Sequence, residues 1–460
     1  MSDPAVIPEN RGKRNSADSR LASSQLPGFS RRHWLGAAAA FGISTGFFSQ
    51  TSAARTPGLQ EKLKLGFVGV GNFGINNIAA LATEEVTAIC DVDETFLGEM
   101  QEQFPKAARF TDWRRMVEEA KLDGVVISAP DHQHAHVSIR ALAAGLHVYC
   151  EKPLTHSIRE GILVAKQAAA RPKQITQLGV QHHASPGYRQ VKELIRSGEI
   201  GEVSEVHCWT ARPIWPQGEL TRPTERPPIP KEMHWDLWLG PAPARPYHAS
   251  YAPIRWRGWW DFGTGSLGDM GPHLLDPVVD SLQLGSPLRI AAESAPVTKE
   301  SAPAWSVVKW EVGVGGHPEK TIKLLYYDGG KRPPDEVTRG ARLPPDGILF
   351  VGSRARLFAP QRGERPTVFP NEKGTTIPLP ALGEEAWPSH PQNWADACRS
   401  GQAAWMPFAR GAKLCEIPLL GNVALRAGKK VEWDAQRQTT GDPAADAFLQ
   451  REYRVGWEFS

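Results

Sequence analysis

The 460-residue chain carries 53 Lys and Arg against 50 Asp and Glu, a net charge of +3, and this small surplus, without a basic stretch, argues against a nucleic-acid partner. Its length suffices for about two or three domains with sizeable cores. Five cysteines at 90, 150, 208, 398 and 415 have no Cys-x-x-Cys spacing or paired framework, which disfavours structural zinc and a disulfide scaffold and suits buried small hydrophobes.

In chain order, residues 1–54 stand apart. Ser30-Arg31-Arg32-His33-Trp34-Leu35 leads into an apolar run ending at Phe48, and twin arginines before a short, weakly hydrophobic segment resemble a twin-arginine export signal. Ser52-Ala53-Ala54 suits a signal peptidase, giving a mature start near Arg55 and a periplasmic protein. A tail with a chance Arg-Arg, or an uncleaved anchor, are the competing readings. The run falls short of the ~20 apolar residues of a spanning helix, so the mature chain is not expected to insert in a membrane. Such a route carries folded proteins, as the resemblance implies, so a cofactor can be loaded before export.

Residues 62–70 form a strand-like run that ends in Gly69-Val70-Gly71-Asn72-Phe73-Gly74, followed by a helix over 73–82. This Gly-x-Gly-x-x-Gly turn allows backbone to approach a pyrophosphate at a helix N-terminus. A second strand over 86–90 closes on Asp91, 22 residues after Gly69, the spacing of a carboxylate that binds ribose hydroxyls and repels a 2′-phosphate. NAD is therefore favoured over NADP; Asp93 competes for the role, and Asp91 as a plain turn residue is the alternative. Helices over 112–120, 134–144 and 157–170 then alternate with strands at 124–129, 147–150 and 177–181. That alternation predicts an α/β, doubly wound parallel sheet over 60–181, with ligand at the carboxyl ends of its strands. Pro130, His134 and Glu151-Lys152-Pro153 fall at such ends, which marks Lys152 as a site residue and not a solvated surface lysine.

Further along, Asp269-Met270-Gly271-Pro272-His273 puts a carboxylate and an imidazole four residues apart, on one face of a helix. Proline is tolerated in a first helical turn and not deeper, so the helix is expected to begin near residue 270 with Asp269 at its mouth. Leu274, Leu275, Val278, Val279 and Leu282 give it a buried stripe and leave His273, Asp276 and Asp280 on another side. Alone, Asp269 reads as a helix cap and His273 as a structural histidine. Joined by Lys152, they make an acid–base set.

In this order, the glycine turn with Asp91, Ala129-Pro130-Asp131-His132-Gln133-His134, Ala144-Gly145-Leu146-His147-Val148-Tyr149-Cys150-Glu151-Lys152-Pro153 and Gly263-Thr264-Gly265-Ser266-Leu267-Gly268-Asp269-Met270-Gly271-Pro272-His273 resemble the Gfo/Idh/MocA family of oxidoreductases. The C-terminal stretch from Gly421 to Trp457 is similar to that of exported bacterial members. The resemblance implies an α+β second domain over 182–460, built on a large, mostly antiparallel open sheet, to which strand-like runs at 203–210, 305–314 and 321–327 belong. It also implies hydride transfer between a sugar or polyol and NAD, in which His273 takes the hydroxyl proton, Lys152 stabilises the same oxygen and Asp269 orients. The cofactor set is then Gly69, Gly71, Asn72, Phe73, Gly74, Asp91, Pro130, His134, Glu151, Lys152 and Gln181. Lys152, His183, Trp256, Trp260, Asp269 and His273 would face a carbohydrate. No metal is required, since His132, His134, His136 and His147 lack acids or thiols in ligand spacing.

Seven of the 16 tryptophans lie between 209 and 260. Trp235 and Trp238 read as core, whereas Trp256, Trp259 and Trp260 serve either core or a sugar-binding wall. Free NAD is not expected outside the cytoplasm, so an exported member calls for a bound cofactor that is reduced and reoxidised in place. A glycosidase that oxidises a ring hydroxyl transiently is an alternative, and Gln181-His182-His183 departs from the pattern expected of that group. A non-catalytic sugar-binding protein is a second alternative. By analogy with the family, a homo-oligomer, dimer or tetramer, is expected.

Overall fold

The computed structural model describes residues 61–218, 221–341, 343–382 and 387–459; the expected export signal lies outside them. Strands β1 (Lys64–Val68), β2 (Glu85–Cys90), β3 (Ala108–Phe110), β4 (Gly124–Ile127), β5 (His147–Glu151) and β6 (Thr176–Gly179) alternate with helices α1 (Gly74–Ala80), α2 (Glu94–Gln103), α3 (Trp113–Glu119), α4 (Asp131–Ala143) and α5 (Ile158–Ala169). The strands pair in parallel in the order β3-β2-β1-β4-β5-β6. The order reverses between β1 and β4, which opens a crevice at their carboxyl ends. All four residues of β4 are buried, Gly124-Val125-Val126-Ile127, as expected of a parallel strand covered on both faces. Helix α2 and strand β3 have no counterpart in the sequence reading, although Asp93 caps α2 by accepting the Thr95 N–H.

After α6 (Pro186–Arg196), β7 (Val203–Trp209), α7 (Trp235–Leu239) and α8 (Gly265–Leu282) come β8 (Pro287–Ser294), β9 (Ser306–Val314), β10 (His317–Tyr327), β11 (Gly347–Gly352), β12 (Ala355–Ala359) and β13 (Thr367–Pro370). Helices α9 (His390–Ser400) and α10 (Phe408–Ala427) and the short β14 (Val431–Glu432) follow. The second sheet runs β13-β12-β11-β7-β10-β9-β8-β14, antiparallel except for β7 beside β10. Alternate residues Val206 and Cys208, Val308, Trp310 and Val312, and Ile322, Leu324 and Tyr326 form one core with Leu274, Leu275 and Val278 of α8. Each such side chain contributes about 1.5–3 kcal/mol on burial, and together they fix α8 against the sheet.

Helix α8 corrects one expectation. It starts at Gly265, so Asp269 stands a turn inside it, and both Pro272 and Pro277 lie within the helix. Tertiary contacts override the local rule. Pro277 removes the donor that would serve the His273 carbonyl, and the Tyr188 hydroxyl stands 3.4 Å from that oxygen. Gly271 also lets α10 approach closely, because a Cβ there would lie 2.8 Å from Pro418 Cβ.

Late in the chain, α9 returns to the first sheet: Trp394, Ala395 and Ala397 share a core with Leu65, Phe67, Val126 and Tyr149. The segment 60–181 is thus completed by residues some 200 positions later. Among the described residues, no helix is long and apolar enough to cross a membrane.

Candidate active site

The glycine turn leaves β1 and enters α1, where a Cβ on Gly74 would meet the Gly69 carbonyl oxygen at 1.9 Å. Only glycine allows that approach. Asp91, at the end of β2, braces this turn: its Oδ2 accepts the N–H groups of Val70 (2.9 Å) and Gly71 (3.2 Å), and its Oδ1 accepts that of Asp93 (3.0 Å). Burial raises its carboxyl pKa against these bonds. A carboxylate has lone pairs to spare for a ribose hydroxyl. Phe73 and Ile75 are exposed at 46% and 40%, apolar faces displayed beside a polar turn.

A segment of the second domain closes the same end of the crevice. Glu94 N–H donates to Glu232 O, His234 N–H donates to Val92 O, both at 2.8 Å, and His234 Nε2 pairs with Glu94 Oε1 at 2.9 Å. Sequence reasoning missed this strap, since nothing local in Glu232-Met233-His234 says that it pairs with residues 140 positions earlier.

Glu151 and Gln181, both of the expected cofactor set, meet. Glu151 Oε1 accepts from Asn77 Nδ2 (2.9 Å) and Gln181 Nε2 (2.6 Å), tying α1 to the end of β6. Burial pushes the Glu151 carboxyl up to about 7. His134 takes a different place from the one expected. Its Nδ1 and Nε2 each lie 2.7 Å from a carbonyl oxygen, of Pro153 and Ala129. With both nitrogens committed to backbone, it braces the Glu151-Lys152-Pro153 turn from behind and has no donor left for a cofactor. Burial lowers its pKa while Asp131 opposes the shift. Asp131 in turn accepts from the Thr264 N–H and hydroxyl, joining the cap of α4 to the approach of α8. Pro130 occupies the capping position itself.

At the centre, Lys152 Nζ donates to Asp269 Oδ1 at 2.7 Å and to the Asp269 carbonyl at 2.9 Å. Arg257 Nε donates to the same Oδ1 at 3.1 Å. Burial alone would raise the Asp269 carboxyl, but Lys152 and Arg257 outweigh it and hold it well below the usual range. His273 sits one turn on. Burial, then the Lys152 charge, keep its imidazole neutral, and its buried Nδ1 has no hydrogen-bond partner among the described residues. A neutral imidazole can accept a proton at once. Arg257 is a member of this cluster that the sequence reading missed; the signal available was Arg255-Trp256-Arg257-Gly258 just before the motif.

Residues 63–179 match the family model described as "Oxidoreductase family, NAD-binding Rossmann fold", and residues 188–318 match "Oxidoreductase family, C-terminal alpha/beta domain", both of the Gfo/Idh/MocA group. The chain belongs to the Gfo/Idh/MocA oxidoreductase family. Inositol 2-dehydrogenase of Salmonella typhimurium is 33% identical over 153 residues, 32% of this chain and 45% of that protein. The Corynebacterium glutamicum (strain R) enzyme of the same name is 29% identical over 149 residues, 32% and 44% of the two chains. The chain thus spans about half the length of these curated relatives. Among solved structures, the WlbA dehydrogenase from Bordetella pertussis in complex with NADH and UDP-GlcNAcA is similar over 82% of this chain and 98% of its own, with a TM-score of 0.58 and 18% identity. Scyllo-inositol dehydrogenase from Lactobacillus casei covers 81% and 98%, with a TM-score of 0.54 and 17% identity. At these identities the likeness is one of fold.

Within this family member, His182 and His183 follow Gln181 toward α8. Asp276 accepts from His183 Nδ1 at 2.8 Å (Oδ1) and 3.1 Å (Oδ2). Burial works to lower the His183 pKa, but Asp276 reverses the sign and raises it. The His182 ring stands 5.7 Å from that of His273 between centroids. The tryptophans correct another expectation. Trp256 and Trp260 are 6% and 5% exposed, and Trp260 Nε1 donates to Thr298 O. Trp256 lies under Arg257 at 4.4 Å. Their faces are used within the protein, so they form no sugar-binding wall. Trp235 and Trp238 stack at 4.7 Å in a core with Trp256, Trp259 and Phe262, as the sequence suggests for that pair.

Proposed function

We propose that the protein oxidises a secondary hydroxyl of a sugar, polyol or sugar derivative by hydride transfer to NAD. The observation that carries this reading is one carboxylate oxygen, Asp269 Oδ1, holding Lys152 beside a neutral His273 at the carboxyl ends of the Rossmann strands. Bound in the crevice, NAD would supply the hydride acceptor. The residues suit it: the glycine turn, held open by the Gly74 close approach, would take the pyrophosphate, Asp91 would meet the ribose hydroxyls, and Glu151 with Gln181 would lie toward the nicotinamide. His273 takes the hydroxyl proton as hydride leaves carbon, Lys152 donates a hydrogen bond to the oxygen as its negative charge grows, and Asp269 sets the ammonium in place. The inositol 2-dehydrogenase names among relatives support a cyclic polyol or sugar as the substrate class.

Export by the twin-arginine route, a cofactor retained through the cycle and assembly into a homo-oligomer belong to the same reading. Arg31-Arg32 before the apolar run supports export, and the strap at Val92–Glu94 supports retention. The deciding experiment is the absorbance spectrum of the desalted mature protein, before and after a panel of sugars, polyols and glycosides. A reduced-nicotinamide band that appears or bleaches with one compound without added NAD is the expected result, and product analysis then separates an oxidised sugar from a cleaved glycoside. No spectral change with any compound, with or without added NAD, would overturn the proposal.

A further inference from the structure

Oxidation by the proposed route leaves a proton on His273 in every forward cycle. The substrate O–H bond breaks and its proton goes to the imidazole; the C–H bond breaks and its electron pair goes with hydrogen to NAD; carbon becomes a carbonyl. The proton must then leave a ring that is boxed in. Asp269 is engaged by two cations, and the buried Nδ1 of His273 has no partner among the described residues. Two further imidazoles lie near. His390 is a dead end: it is 2% exposed, its Nε2 lies 2.8 Å from the Leu178 carbonyl, and its Nδ1 is buried and without a partner among the described residues. His182 differs on each point. It is half-buried, neither ring nitrogen is hydrogen-bonded within the described residues, and its ring faces that of His273 at 5.7 Å, tilted by 51°. That separation is within reach of one hydrogen bond or one bridging water.

The geometry points to His182 as the proton shuttle between His273 and solvent, a residue that acts through the base and not on the substrate. An imidazole suits this because it accepts on one nitrogen and releases from the other. The surroundings agree in direction. Burial and Arg362 lower the His182 pKa, with Glu364 and Asp276 opposing, whereas His273 lies well below its ordinary value. Asp276, held by His183, stands one turn beyond His273 on the same stripe of α8 and places a negative charge along the way out.

The inference rests on the hydride-transfer reading, and its test is separable from that reading. His182→Ala and His182→Gln are assayed on the full holoenzyme with the substrate found above, at low and high concentrations of imidazole buffer. Expected is a fall in kcat of about tenfold or more at low buffer, unchanged KM and nicotinamide affinity, a larger solvent deuterium isotope effect, and saturable rescue of His182→Ala by imidazole. A folded variant that keeps wild-type kcat at low buffer, or one that loses activity without any rescue by imidazole, overturns the shuttle while leaving hydride transfer intact. If wild type shows no hydride transfer at all, the parent reading fails first.

Discussion

Replacing Asp269 by asparagine tests the centre of the site most directly. A single carboxylate oxygen accepts from Lys152 at 2.7 Å and Arg257 at 3.1 Å, with the side chains of Lys152 and Asp269 each 13% exposed. Asparagine keeps an acceptor in place but removes the charge, leaving two cations side by side. Breaking a buried pair from one partner costs about 3–5 kcal/mol; the retained amide oxygen and the 29% exposure of Arg257 argue for the lower end. About 3 kcal/mol is a large part of the 5–15 kcal/mol that holds a typical domain together. Repulsion from Arg257 would also displace the Lys152 ammonium, and misplacement of about 1 Å costs on the order of 100-fold in rate. Urea unfolding and steady-state kinetics measure the two effects. Arg257→Leu separates them, because it leaves Lys152 its counter-ion; in Asp269→Asn/Arg257→Leu, part of the lost stability should return. Stability within about 0.5 kcal/mol and kcat within twofold for Asp269→Asn would refute the account.

Lys152→Met should lower kcat by about 100-fold or more, with nicotinamide affinity retained, as measured by fluorescence titration; unchanged turnover would remove its role at the oxygen. Gly74→Ala drives a Cβ against the Gly69 carbonyl, backbone against backbone, and should weaken nicotinamide binding by about tenfold or more, whereas wild-type affinity would show that the turn does not hold the pyrophosphate. Stability should fall between pH 7 and 5 and more steeply below, as followed by chemical denaturation, because burial holds His156 and His273 neutral as well as the three histidines that follow. His132 and His390 are held neutral to about 3 and His136 to about 4 by burial; the unfolded chain binds these protons first, so each costs about 2 kcal/mol by pH 5. Glu151 and Asp328, raised by burial to about 7, take protons first in the folded state and return about 2.5 kcal/mol each over the same range, a gain that fades once unfolded carboxyls also protonate. A profile that stays flat from pH 8 to 5 would show that the raised carboxyls cancel the buried histidines.

The first sheet, apart from the short exposed β3, was legible because its strands are short apolar runs punctuated by Gly, Pro or Asp, and parallel strands buried on both faces leave that pattern in sequence. The site was legible where chemistry and spacing coincide, at Lys152, Asp269 and His273. What escaped was decided by partners distant in sequence. Helix α8 begins at Gly265, not near 270, since its packing on the sheet and α10 tolerates two internal prolines. His134 looked like a cofactor contact from its place at a strand end, but two carbonyl oxygens consume its ring. The Glu232–His234 strap carries no local signature, and Trp394, with Ala395 and Ala397, completes a core whose first-sheet members lie more than 200 residues earlier.

Helix α8 carries the consequence of this arrangement furthest. Asp269, His273, Asp276 and Asp280 recur at intervals of four, three and four residues along it, a single stripe, while Leu274, Leu275 and Val278 anchor the opposite side in the second sheet's core. The distance from Lys152 to His273 is therefore set by packing that never touches a ligand. Lys152 comes from the first sheet and the helix from the second, so any shift between the two layers changes the site. Leu275→Ala would open a cavity costing about 2–5 kcal/mol, and a helix free to settle into that cavity would carry His273 with it. Its kcat should fall by more than the loss of folded protein accounts for, with nicotinamide affinity preserved because the glycine turn lies on the other layer. A loss of activity that only tracks the unfolded fraction would mean that the stripe is held in register by Asp269 and its two cations alone.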